Sequence, residues 1–378
     1  MWHLWHQKMK KTIKLSFIAT MLAIISASMM FYSCNEDPDV NEPSGSNNEK
    51  LGKGYYVLCE GLWGKNNSSL DYFNIEKQTT TIDLFTEVNN AGLGETANDM
   101  IEVEGKLFIA INGSNCVIVV NKADCRRLAL IPIMAGENPQ PRCLAYYNGK
   151  IYLTCFDGTI YKINATTYKV EQTAKTQGRN PEAIAVCMGK LFVANTGGLD
   201  YPNFDNSISV INPDDLSLLH KIEGLLNPGE IKAKGNNIFV QARGVYDYGT
   251  GSYSNSELAR INATNFQIEE RIPFIANAYE LVGDKIVYAY IDNAMKNYIY
   301  SIPADNITST PQTFIETNTS KLSSLQTIYN INSDNEHIYI TDAKNFQING
   351  ECFVFEHNGT FDCKFETFIN PKKVTALQ

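Results

Sequence analysis

One hexapeptide returns along the chain: Gly-Lys-Leu-Phe-Ile-Ala at residues 105–110, Gly-Lys-Ile-Tyr-Leu-Thr at 149–154 and Gly-Lys-Leu-Phe-Val-Ala at 189–194. Weaker copies lie around Tyr55, Ile238, Ile286 and Ile338. The matching positions 55, 107, 151, 191, 238, 286 and 338 are spaced by 52, 44, 40, 47, 48 and 52 residues. Past residue 50 no helical periodicity appears. Short runs of Val, Ile, Tyr and Phe alternate with Gly, Asn, Asp and Pro punctuation, which is the signature of strands and turns. A repeat of this length built from such runs holds about four strands and buries its faces only against copies of itself. The spacing therefore predicts an all-β chain folded as a seven-bladed β-propeller over residues 51–378.

The fourth repeat shows the parts of a blade. Residues 181–186 form the expected inner strand, Met188-Gly189 the turn, and 191–194 the second strand. A long loop leads to 207–211, and 218–222 lie at the rim. A proline opens the inner strand at Pro141, Pro181, Pro228 and Pro371, where the first residue need not donate to the ladder. The first repeat starts directly at its second strand, while residues 371–377 supply an inner strand with no blade of their own. The ring is thus expected to close by pairing the C-terminal strand into the N-terminal blade, which removes an open edge. Cys352 and Cys363 flank a turn at Asn358-Gly359 and are candidates for a disulfide if the protein is exported. Most of the other cysteines sit in apolar strand context, as small buried hydrophobes.

Composition excludes several functions. The 378 residues carry 32 Lys and Arg against 41 Asp and Glu, a formal charge of −9. Beyond residue 14 there is no basic cluster, so no nucleic-acid partner is expected. Of five histidines, His3 and His6 fall in the leader, which leaves little for a zinc or histidine-based catalytic centre. No G-x-S-x-G, H-E-x-x-H or phosphate-loop motif occurs. Gly92-Leu93-Gly94-Glu95-Thr96-Ala97 imitates a dinucleotide fingerprint but precedes a strand, not a helix. Acids recur near the start of the inner strands as Asp99, Glu182, Glu230 and Glu280. Arg142, Lys372 and Lys373 occupy the equivalent stretch in other repeats and are expected to pair with them. No metal, cofactor or catalytic residue is therefore assigned, and a metal-dependent, lactonase-like hydrolase is kept as the runner-up.

The N-terminus carries its own address. Lys10, Lys11 and Lys14 precede an apolar run from Leu15 to Phe31, followed by Tyr32-Ser33-Cys34. This pattern describes a signal peptide over residues 1–33, with 1–8 an upstream start-site artefact. The small residue before Cys34 resembles a bacterial lipoprotein processing site, although Phe31 and Tyr32 stand where smaller aliphatics are commoner. Cys34 would then be lipidated. The acidic residues behind it resemble a surface-export signal, and 34–50 would be a flexible tether. The expected location is the cell surface, lipid-anchored to the outer membrane.

Loops joining strands two to three, and each blade to the next, share one face. There they are long and rich in aromatic, Asn and Gly residues, whereas the opposite face has tight turns such as Asn164-Ala-Thr-Thr. Long loops on a rigid scaffold are where binding residues gather. The candidate platforms are Trp63, Tyr201, Phe204, Tyr246, Tyr248, Tyr253 and Phe346. The candidate polar contacts are Asn66, Arg142, Arg179, Asn203, Asp205, Arg243 and Asn345.

Residues 178–211, with Gly-Arg-Asn-Pro ahead of Gly-Lys-Leu-Phe-Val-Ala-Asn-Thr-Gly-Gly-Leu-Asp-Tyr-Pro-Asn-Phe-Asp-Asn-Ser-Ile-Ser-Val-Ile, resemble the YncE-like seven-bladed propellers. More closely, they resemble the lipoprotein branch of Bacteroidota, which includes the BtuG-type surface proteins. That resemblance implies a ligand of the vitamin B12 (cobalamin, corrinoid) class and hand-over to a TonB-dependent outer-membrane transporter. A glycan- or protein-contact propeller is the further alternative.

Overall fold

The computed structural model describes residues 50–378 apart from Glu137 and Thr250. The leader, the lipidation site Cys34 and tether residues 34–49 lie outside the described residues. What is described is a ring of seven four-stranded antiparallel sheets. Blade 4 runs Pro181–Cys187, Lys190–Asn195, Ser207–Ile211 and Leu218–Glu223 from the axis to the rim. In blade 1 the C-terminal strand Pro371–Leu377 is innermost and pairs with Gly54–Cys59, Tyr56 facing Thr375 and Val57 facing Val374. The ring closes as the register predicts.

The repeated hexapeptide is the second strand of each blade, and its composition follows from its place. Gly54–Cys59 is buried along its whole length, because both faces of the strand meet neighbouring blades. Rim strands face solvent on one side and alternate, as in Ile268–Pro273. Within the second strand of blade 1, Tyr56 and Leu58 point towards blade 2, while Tyr55, Val57 and Cys59 point towards blade 7. The buried apolar side chains of the described residues fall into seven clusters, one for each blade-to-blade contact. On the tight-turn face, left-handed pairs such as Asn148-Gly149 and Met188-Gly189 close the hairpins. The Asn164 carboxamide accepts from Thr166 N and Thr167 N at 2.9 Å to hold an outer turn.

The structure departs from the sequence reading in three places. A short helix, Leu84–Asn89, follows the rim strand of blade 1, with the Asp83 side chain capping it and Leu84 and Phe85 buried beneath. The 243–253 loop contains a small hairpin, Val245–Asp247 paired with Ser252–Ser254. Cys352 and Cys363 are free thiols. The register sets Cys352 opposite Phe365 and Cys363 opposite Val354, a diagonal offset that strand pairing holds too wide for a disulfide.

Candidate functional site

Six of the seven inner strands carry a bulge close to their first residue. The register slips past Asn98, Arg142, Glu182, Gly229, Tyr329 and Lys372, each at the equivalent place in its blade. A bulge releases a residue from the ladder and re-aims its side chain. Here the released residues converge on the mouth of the central channel, at the long-loop face. Arg142 Nε donates to Glu182 Oε1 at 3.0 Å, and its guanidinium lies 4.2 Å from the Phe156 ring centre. Lys372 reaches Glu60 at 3.2 Å and lies over the Tyr329 ring, while the Tyr329 hydroxyl donates to the same carboxylate. Further in, Lys373 pairs with Asp99 at 2.7 Å and Lys232 with Glu280 at 2.8 Å.

Burial alone would pull the Lys232 ammonium towards neutrality, but the Glu280 and Glu230 carboxylates outweigh it and hold the pKa above the ordinary lysine value. The Cys143 thiol, between Asp99 and Glu182, is pushed well up, chiefly by burial, and is a poor nucleophile. Asp99, Glu182 and Glu280 are thus each committed to a cation on another blade. Among the described residues no group of three or more His, Cys, Asp or Glu is placed to hold a metal ion.

Above the mouth the loops of blades 4 and 5 form an aromatic crown. Tyr201 meets Phe204 at 5.9 Å and Tyr248 at 5.7 Å between ring centres. Tyr246 meets Tyr248 at 5.0 Å and Tyr253 at 4.9 Å. The hairpin register places Tyr246 directly opposite Tyr253, and the Tyr201 hydroxyl donates to Tyr246 O at 3.1 Å, tying the two blades together. Tyr248 and Tyr253 remain 47% and 45% exposed, so part of each residue's surface stays open to a ligand.

The other candidates divide. Trp63 and Phe346 are exposed on the loops of blades 1 and 7, away from the crown along the ring. Asn66 offers its backbone N–H to Glu95, and Asn345 closes its own turn by accepting from Gln347 N and Ile348 N. Arg179 is spent within the blade 4 loop, on Asp200 at 2.8 Å and Asn203 O at 2.8 Å. The Asp205 carboxylate accepts from Arg179 N and Ser207 Oγ. Arg142 is held by Glu182. These five polar residues, with Asn203, shape the loops and the mouth. Arg243 stands apart, its guanidinium packed against Gly229.

Sequence reasoning missed two groups. Glu60, Phe156 and Tyr329 complete the mouth; their signal was a place in the repeat register, Glu60 and Phe156 directly after a second strand and Tyr329 second in an inner strand. A cleft of about 890 Å³ adjoins the crown at the rim of blade 5, between Tyr253, Glu257, Arg271, Phe274 and Tyr290. Blades 2 and 3 turn tightly at this face, through residues 112–115 and 156–158, so the raised surface is one-sided.

The model of the family DUF5074, described as a domain of unknown function, matches residues 53–351, and the chain belongs to that family. No curated protein sequence matches significantly. A quinonprotein alcohol dehydrogenase-like protein from Bacteroides thetaiotaomicron is 14% identical, over 86% of this chain and 79% of that one, with a TM-score of 0.58. The computationally designed protein Ika8 is 11% identical, over 84% and 89%, with a TM-score of 0.54. The Pan2 WD40 domain of Neurospora crassa is 10% identical, over 74% and 80%, with a TM-score of 0.52. At these identities the likeness is one of fold.

Proposed function

We propose that this member of DUF5074 is a binding protein that holds a small ligand on the crown of blades 4 and 5, and that it is not an enzyme. The observation that carries this reading is the set of five aromatic rings from two neighbouring blades, in mutual contact and still partly exposed. Such rings give a broad, rigid, amphipathic surface at low entropic cost. A surface of that shape suits a wide ligand with apolar faces and a polar fringe. Together with the resemblance to BtuG-type lipoproteins, it makes a corrinoid the leading ligand and a TonB-dependent outer-membrane transporter the partner that receives it.

Calorimetric titration with cyanocobalamin tests the ligand: saturable binding supports the reading, and none by the wild type ends it. Metabolic labelling with a fatty acid tests the anchor, since an unlabelled wild-type protein would remove Cys34 as a lipidation site. The runner-up hydrolase would have to release Asp99, Glu182 and Glu280 from their lysine and arginine partners. Finding a stoichiometric divalent ion in purified protein would revive it.

A further inference from the structure

The bulge position that carries Asn98, Arg142, Glu182, Tyr329 or Lys372 in other blades is Gly229 in blade 5. The place is not empty. A Cβ built on Gly229 would lie 2.5 Å from both Cζ and Nε of Arg243, so the guanidinium occupies the space a side chain at 229 would need. Arg243 is delivered there by the foot of the blade 5 loop, where Arg243 N donates to Asn227 O at 2.9 Å and Gly244 N to Leu226 O at 3.0 Å. The other cations of the mouth and crown, Arg142, Arg179, Lys232, Lys372 and Lys373, all hold a carboxylate. Among the described residues the Arg243 guanidinium makes neither an ion pair nor a side-chain hydrogen bond. The Glu230 carboxylate, next in the chain to Gly229, acts on Lys232. The charge of Arg243 is felt by the hydroxyls of Tyr253, on the crown, and Tyr279, behind the mouth.

We infer that Gly229 and Arg243 form an anion-recognition device, and that the ligand of the crown carries a phosphate or carboxylate attached to a flat, apolar body. The unpaired guanidinium is a fork of donors suited to either group, and the tyrosines beside it take the flat portion. This inference deepens the binding reading and rests on it only for where the ligand lies.

Phenyl phosphate is the probe, with phenol as its neutral counterpart, titrated at low ionic strength. Wild-type protein is expected to prefer phenyl phosphate and to lose that preference as salt is added. Arg243→Gln should weaken phenyl phosphate about tenfold and leave phenol unchanged. Gly229→Ala should do the same without touching the charge. Gly229 has no left-handed φ, and its clash is with the end of a flexible side chain, so the fold should persist. The double variant should be no weaker than either single one, because both act through one contact. No preference for phenyl phosphate in the wild type, unchanged affinity in Arg243→Gln, or additive losses in the double variant would overturn the inference. Wild-type binding of phenyl phosphate without binding of cyanocobalamin would keep the anion device and remove the corrinoid reading.

Discussion

The seam where the termini meet and the crown over blades 4 and 5 are both rich in aromatic and polar residues, yet they treat them in opposite ways. At the seam, Tyr55, Phe73 and Phe365 stack in the interior, the last two with ring centres 4.2 Å apart. The Asp71 carboxylate, fully buried, accepts from Ser69 Oγ at 2.8 Å, Asp83 N at 2.9 Å and Phe368 N at 2.6 Å. Burial pushes that carboxyl above the ordinary range against the pull of these donors. Asn332 brackets Val374 with two further hydrogen bonds. At the crown, by contrast, Tyr248 and Tyr253 stay half open and, among the described residues, Arg243 beside them has no ion-pair partner. Burying a polar group costs free energy unless it is hydrogen-bonded; the seam commits its carboxylate and amide to such bonds, whereas under the proposed function the crown keeps its open rings and the Arg243 guanidinium for a ligand.

The contrast can be broken most severely at the seam. Deleting residues 371–378 removes the inner strand of blade 1 and reopens the ring. The expected result is loss of cooperative thermal unfolding, and an unchanged melting temperature would contradict closure through this strand. Asp71→Ala strands two half-buried backbone N–H groups and a buried hydroxyl, for about 3–5 kcal/mol in denaturant unfolding; a loss below about 1 kcal/mol would show that the carboxylate does not hold the seam. At the crown the order reverses. Tyr246→Ala should leave the melting temperature nearly unchanged while weakening cyanocobalamin by about 2 kcal/mol, roughly thirtyfold. The smallest effect belongs to the opposite face: Asn164→Ala should leave ligand affinity unchanged, and any measurable loss would mean that the tight-turn face takes part in binding.

How far the sequence revealed this depends on how local each signal is. The second strands were legible because both their faces are buried, which writes an unbroken apolar run. Closure was legible because Pro371 repeats the opening of other inner strands. The helix at Leu84–Asn89 was not, since six residues with two buried side chains show no period. The proposed pairing of Cys352 with Cys363 failed on register, which a turn sequence does not fix on its own. Among the candidate contacts, Arg179 and Arg243 look alike as residues. Only the fold shows that Asp200 and Asn203 bend back onto Arg179, and that Gly229 clears a place for Arg243. That glycine was visible all the same, as the one bulge position after an opening proline without a side chain.

Hydrogen exchange of the described domain, with and without cyanocobalamin, bears most directly on the claim that the crown is the binding surface. Slowed exchange is expected in residues 197–206, 244–249 and 251–255, with none in the turns at 164–168 and 212–217. Protection centred on those turns, or a bound ligand that leaves the crown unprotected, would contradict it.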